Sequence, residues 1–473
     1  MRKTSKFVAL ILGIVTSVSL IACSGKGNSG SGDSSDITKD TYTVNFDISA
    51  GTQASLQVAV PNNEPEKKKI NALIAEFNKK YPLINVTVTT PFTPDNTVEQ
   101  CVKQFKADLL ADVVWCNSTN YYGLVANGIA LNLDNFISQA KTAGAFDYEN
   151  DFTETFRKMG KVEGSLYAIG RSTDSVVTFY NKKMLQTAGV DTSVIKNGWT
   201  WEDFLTCCEQ LRTYYNSLGD NYTKVYPVDA NLGWESVGYP IIKSFGGEVI
   251  DAQGNFCLTE EQSNLVYDFV QNLVTNGYIG QKNDSIASFE SAADNKDTRT
   301  AFLFQSAAIG VYEEEHADLQ GNIDVVSFPL INGDNSAIGF GFAGYAVNRK
   351  VADNQAKLDA TMAFMSFLMS YDGQQAMAKD GGLNLPSIRK DLSADNASAE
   401  WCAKYQGKFN MAAYTYGDSY KAGVDFLANV KPTLTGSIVS NLNKYTGSYC
   451  ISKTKKEAYN LLKAGINEAF DDV

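Results

Sequence analysis

Between Ala54 and Trp115 the hydrophobic pattern alternates between two periods, and no other feature constrains the fold as tightly. Ala54 to Val60 reads as a strand. Ile70, Leu73, Ile74 and Phe77 then follow the 3-4-7 spacing of an amphipathic helix, which Tyr81-Pro82 ends. Ile84, Val86 and Val88 alternate as a strand does. Val98, Val102, Phe105 and Leu109 return to helical spacing, and Asp112 to Trp115 reads as a further strand. This order predicts a parallel sheet, because each helix carries the chain back to begin the next strand in the same direction. Composition is globular, 44% hydrophobic and 20% charged. One core rarely grows past roughly 250–300 residues, so a chain of 473 predicts two lobes.

Further along, the pattern predicts a short strand at Thr41 to Ile48 and a helix from Tyr121 to Asn127 stopped by Gly128. Asp151 to Gly160 reads as a helix, Ser175 to Tyr180 as an apolar strand. Thr200 is an N-cap for a helix carrying Phe204, Cys208, Leu211 and Tyr215. Val225 to Val228 reads as a strand and Trp234 to Phe245 as a helix ending at Gly246-Gly247. Thr259 with Gln262 forms a capping box for the next helix. Ala307 to Val311 and Ile323 to Val326 read as buried strands, Gly339 to Asn348 as a glycine-interrupted one. Leu358, Met362, Met365 and Met369 mark a long helix.

The front of the chain reads as a processed segment. Arg2, Lys3 and Lys6 precede an uncharged stretch, Phe7 to Ile21. Roughly 15 apolar-rich residues suit a signal peptide and fall short of the roughly 20 of a spanning helix. Residues 1–22 are read as that signal peptide, and 23–40 as a flexible Ser/Gly-rich tether. Leu20-Ile21-Ala22-Cys23 resembles a bacterial lipobox. That resemblance implies a lipid on Cys23, which holds the chain on the extracellular face of a Gram-positive cell membrane; an ordinary secretory signal is the alternative. The other seven cysteines are an odd set without CxxC, so no disulfide framework is expected and they are read as small core residues.

Several stretches resemble the extracellular solute-binding proteins of ABC importers, the carbohydrate-type group that includes the maltose-binding protein. They are Phe77-Asn-Lys-Lys-Tyr-Pro82, Ala111-Asp-Val-Val114 with Leu124-Val-Ala-Asn-Gly128, Gly164-Ser-Leu-Tyr167, and Phe179-Tyr-Asn-Lys182. Trp199-Thr-Trp-Glu-Asp-Phe204, Gly246-Gly247, Gly341-Phe-Ala-Gly-Tyr-Ala-Val347 and Gly381-Gly-Leu-Asn-Leu-Pro386 continue the series. The resemblance implies an α/β, two-lobe periplasmic-binding-protein-like fold, each lobe a mainly parallel sheet flanked by helices, with a ligand cleft at the hinge. It sets lobe 1 at 52–173 plus 345–383 and lobe 2 at 174–344 plus 384–473. Crossovers are expected near Thr173–Ser175, Gly339–Gly344 and Gly382–Leu385, with the glycines supplying hinge freedom.

A sugar stacks its C–H faces on aromatic rings and gives its hydroxyls to carboxylates and amides. The resemblance, with this chemistry, points to Trp115, Asn117 and Tyr121 on one loop. Cys116 falls where the relative has its aromatic. Asp174 falls on a ligand-binding acid of the relative; a salt bridge with Arg171 or a solvated turn is the other reading. Trp234 and Ser236 precede or open a helix. Tyr312 and Glu313 follow a predicted strand, although Glu313 to Glu315 also fits an acidic helix start. Core packing is the competing reading for Trp115. The expected partners are a carbohydrate, the membrane through Cys23 and transmembrane permease subunits, with the chain itself a monomer. A net charge of −12 argues against nucleic acid. One histidine, His316, argues against a zinc protease motif, a Ser-His-Asp triad and a histidine-rich metal site, so no metal and no cofactor are expected. A peptide or other polar solute is the alternative ligand. A secreted glycoside hydrolase with two opposed carboxylates is the alternative of another class.

Overall fold

A computed structural model describes residues 41–280, 284–393, 399–416, 420–422, 427 and 429–471. The signal, the tether and Cys23 lie outside the described residues. The first sheet has the strand order Ile84–Phe92, Ala54–Pro61, Val113–Asn117, Ala343–Val347, Ala168–Gly170. The first three strands are parallel, as the βαβ reading requires. Helix Glu64–Lys80 makes the first return. Asn63 caps it by accepting from the Glu66 N–H, acids stand in its first turn and lysines in its last, and Ile70, Leu73, Ile74 and Phe77 are its buried face.

The second sheet runs Ile323–Ser327, Val177–Asn181, Phe302–Gln305, Val228–Asp229. Helix Trp201–Ser217 begins with a Thr200/Asp203 capping box and helix Glu260–Thr275 with Thr259/Gln262. Phe204 packs on Phe302 and Phe304 of this sheet, with ring centroids 5.4 and 5.5 Å away, and Trp201 stands 4.4 Å from Phe269.

Each sheet is mainly parallel, as expected, with one reversed strand. Val177–Asn181 is antiparallel to both of its neighbours, and Ala343–Val347 to both of its own. Both strands arrive from the other sheet rather than from a βαβ return, so nothing fixes them in the parallel direction.

The chain passes between the two sheets at 171–176 and 328–342, and these stretches are bonded to one another. Asp174–Ser175 pairs antiparallel with Phe340–Gly341, the Val176 N–H donates to the Gly339 carbonyl (2.8 Å), and the Thr173 N–H donates to the Pro386 carbonyl (3.0 Å). Hinge freedom is not what Gly339 supplies. A Cβ there would stand 1.6 Å from the Ser236 carbonyl oxygen, so close approach of helix Glu235–Ser244 demands glycine. Gly382 has φ +70° and does use the left-handed region.

Several local readings differ: the Val225–Val228 run yields only the two-residue strand Val228–Asp229. Ala307–Val311 is not a strand: the chain turns into helix Ile309–Glu315, because a short apolar run does not distinguish strand from buried helix. Asp151–Gly160 is two short helices, Tyr148–Asp151 and Glu154–Lys158, parted at Phe152 and Thr153. Residues 41–48 form no ladder. They are an extended strap whose backbone is satisfied by side chains. Gln139 takes the Val44 N–H (2.8 Å) and donates to the Tyr42 carbonyl (2.8 Å), and Gln355 donates to the Thr43 carbonyl (2.8 Å).

Candidate functional site

Two cavities meet where the sheets face each other. The outer one is about 1080 Å³, lined from the first-sheet side by Thr119 and from the second by Asp229, Asn231, Gly233, Ser440 and Asn443. The inner one is about 50 Å³ and lies between Ser118, Tyr121 and Tyr122 on one side and Glu235, Ser236 and the crossing at Phe340–Phe342 on the other. The two are neighbours: Ser118 and Thr119 are adjacent, and Asn443 of the outer lining bonds Glu235 of the inner. The inner space holds roughly one or two waters, so the two sides almost touch.

Few bonds span this gap. Ser118 Oγ donates across it to Glu235 Oε1 at 3.5 Å, while on the second-sheet side Asn443 Nδ2 donates to Glu235 Oε2 at 3.4 Å. Ser236 Oγ donates to the Phe340 carbonyl at 3.0 Å, tying helix Glu235–Ser244 to the crossing. Tyr121 stacks on Tyr122 (4.1 Å between centroids) and leans on Phe342 (5.2 Å). Burial pushes the Tyr122 hydroxyl far up, and nearby Tyr121 and Glu235 add to this, so it stays protonated.

Beside the crossing lies a buried charged cluster. Arg171 Nη2 donates to Glu66 Oε1 (3.0 Å), and Lys69 Nζ stands 3.3 Å from the same oxygen. Ser172 Oγ donates to Asp174 Oδ1 (2.6 Å). Nε and Nη1 of Arg171 have no hydrogen-bond partner. Burial pushes the Glu66 carboxyl up, but Arg171 and Lys69 outweigh it and hold it below its ordinary value. Asp174 goes the other way: burial raises it and Arg171 only partly offsets this.

Of the residues singled out from sequence, Tyr121 and Ser236 line the inner cavity. Trp115 is buried on its strand opposite Tyr345, on the Glu66 side, and lines neither cavity. Asn117 is half-buried; its Oδ1 accepts from the Thr119 and Asn120 N–H groups and shapes the turn into helix Asn120–Ala126. Asp174 belongs to the cluster at the crossing, where Ser172 holds it and Arg171 pairs with Glu66 instead. Trp234 is half-buried at the N-cap of helix Glu235–Ser244, packed against the core beside the cleft. Tyr312 and Glu313 are not brought to the cleft. Tyr312 packs on Phe179 and His316 and its hydroxyl meets Glu290. Glu313 is buried, ion-paired with Lys408 and bonded to the Gly321 N–H. Both sit late in helix Ile309–Glu315, so the acids end a helix rather than start one.

Sequence reasoning passed over Ser118, Glu235, Asn443 and Asp229. Glu235 stood between two chosen residues, and a carboxylate opening a helix was the available signal; Asn443, some 200 residues on, carried none. Among the described residues no group of three or more His, Cys, Asp or Glu is placed to hold a metal. All seven cysteines among them are free, six buried and Cys257 half-buried. No helix among them is long and apolar enough to cross a membrane.

Two α/β sheets joined by mutually bonded crossings, with a cleft between them, define a two-lobe ligand-clasping protein. The chain belongs to the bacterial extracellular solute-binding proteins, whose family profile matches residues 72–407. No curated protein matches. Solved structures share the fold at low identity. The GacH receptor of Streptomyces glaucescens, solved unliganded and with acarbose, is 16% identical; the match covers 89% of this chain and 99% of that one, with a TM-score of 0.64. The cyclic alpha-maltosyl-1,6-maltose binding protein of Arthrobacter globiformis is 13% identical, covering 89% and 100%, TM-score 0.68. UgpB of Mycobacterium tuberculosis, in complex with glycerophosphocholine, is 16% identical, covering 88% and 98%, TM-score 0.64.

Proposed function

We propose that this protein is the substrate-binding component of an ABC importer, and that it captures a sugar or oligosaccharide between its lobes and delivers it to permease subunits without chemical turnover. The observation that carries the reading is the cleft itself. Its outer cavity exceeds the roughly 300–1,000 Å³ of drug-sized ligands, and hydroxyl, amide and carboxylate groups line it beside tyrosine rings. Such a surface suits a ligand rich in hydroxyls. Similarity to the acarbose- and maltosyl-binding proteins supports the same ligand class. Cys23 is the lipid attachment point, the protein works as a monomer on the outer face of the cell membrane, and the lobes divide at 173/174, 344/345 and 383/384.

The test is thermal unfolding against oligosaccharides, short peptides and glycerophosphocholine, the last because of the similarity to UgpB. A ligand at a hundred times its Kd adds about 2.7 kcal/mol. Stabilisation by a sugar, with no cleavage products after long incubation, supports the reading. Stabilisation by peptides or the phosphodiester alone removes the sugar assignment, and released products move the protein to the hydrolases.

A further inference from the structure

Glu235 is an unusual group to find in the inner cavity. It is 5% exposed. No cation among the described residues pairs with it: Lys158 borders the same cavity but is held by Glu154, and Lys161 makes no ion pair. Its two contacts, Ser118 Oγ at 3.5 Å and Asn443 Nδ2 at 3.4 Å, exceed the roughly 2.5–2.9 Å of charge-assisted bonds. A carboxylate removed from water costs free energy unless strong donors replace the lost hydration. Asn443 adds a second deficit: its Oδ1 is buried with no partner. Two acceptors, on helices Glu235–Ser244 and Pro432–Lys444, thus stand side by side, joined by the 3.4 Å Nδ2–Oε2 contact: Glu235 is held only by long bonds, and Asn443 Oδ1 by none.

We propose that Glu235 and Asn443 form the acceptor pair that selects the ligand: they take hydroxyl donors from a neutral sugar and turn away a sugar carrying a carboxylate at this point. The inference rests on the sugar reading and deepens it. Ser118, from the opposite side of the cleft, occupies Glu235 weakly and gives way to a ligand hydroxyl at shorter distance. The trade turns a long bond into a charge-assisted one and satisfies Asn443 Oδ1 as well, so the gain exists only with ligand bound. A uronate would bring like charges together in a poorly hydrated site. Glu235 also stands in the first turn of its helix, where an acid favours the helix dipole. That role alone predicts a change in stability but not in ligand choice.

Calorimetric titration separates these. Maltotriose, cellotriose and xylotriose are titrated against the full chain, with trigalacturonate as the acidic probe. Glu235→Gln keeps the shape and removes the charge. It is expected to weaken the neutral sugar that binds the wild type by about tenfold to a hundredfold, and to narrow the preference over trigalacturonate. Asn443→Ala, on another helix, is expected to cost about tenfold. If Glu235→Gln does not fold, Asn443→Ala decides alone. A wild type that binds a neutral sugar while the folded variants bind it equally well overturns the acceptor pair and leaves the sugar reading standing. A wild type that prefers trigalacturonate also overturns the pair. A wild type that binds none of the four overturns both.

Discussion

Glu66 is the residue whose removal says most about how charge is held in this protein. Its carboxylate is the buried counter-ion of Arg171 and Lys69, and Arg171 already has two nitrogens without partners. Glu66→Gln takes away the carboxylate paired with both cations, leaving only Asp174 near them, and is expected to cost about 3–5 kcal/mol at pH 7, read by urea unfolding. The pH dependence has a definite sign. The folded state holds Glu66 below the usual 4.5 of a glutamate, so on acidification the unfolded chain takes up the proton first. Its contribution is therefore full above about pH 4.5 and fades as pH falls through the folded value. The wild type should lose stability over that acid range more steeply than Glu66→Gln. Gly339 offers a steric test. Placing a methyl 1.6 Å from the Ser236 carbonyl in Gly339→Ala must push helix Glu235–Ser244 away from the crossing. A loss above about 3 kcal/mol is expected, because backbone and not a flexible side chain must move.

At the scale of elements, the helices were legible where their ends carry chemistry. Thr200/Asp203 and Thr259/Gln262 close their capping boxes as read. Thr259→Ala is expected to cost about 1 kcal/mol, measurable as a small shift in the thermal midpoint. Phe204→Ala, which empties the contact with Phe302 and Phe304, should cost about 3–5 kcal/mol. Legibility failed where an element takes its identity from neighbours. The Ala307–Val311 run has no periodicity to separate strand from helix, and what decides is that Tyr414 takes its place alongside: its hydroxyl accepts the Ile309 N–H and donates to the Ala307 carbonyl. The 41–48 strap alternates like a strand, yet it joins no ladder among the described residues, and Gln139 and Gln355 bond its backbone instead. Gln139→Ala with Gln355→Ala should raise amide exchange in 41–48 and leave the sheets protected.

For the whole molecule, the inner cavity is nearly shut while the outer one stays open. Small-angle scattering should show the radius of gyration falling when a bound sugar draws the sides together; an unchanged radius at saturating sugar would argue against hinge closure. The chain's own pattern determined the βαβ order of the first three strands and the capped helices, because each depends on spacing within a few tens of residues. It did not determine the direction of Val177–Asn181 and Ala343–Val347, nor which candidates reach the cleft. Tyr121 and Ser236 line it, whereas Tyr312 and Glu313 are held away by Glu290 and Lys408. Glu235 and Asn443 meet across 208 positions of sequence, and Ser118 closes on them from the other sheet. Only the packed chain brings such groups within hydrogen-bond reach, since what a side chain faces is set by the elements folded against it and not by its own neighbours in sequence.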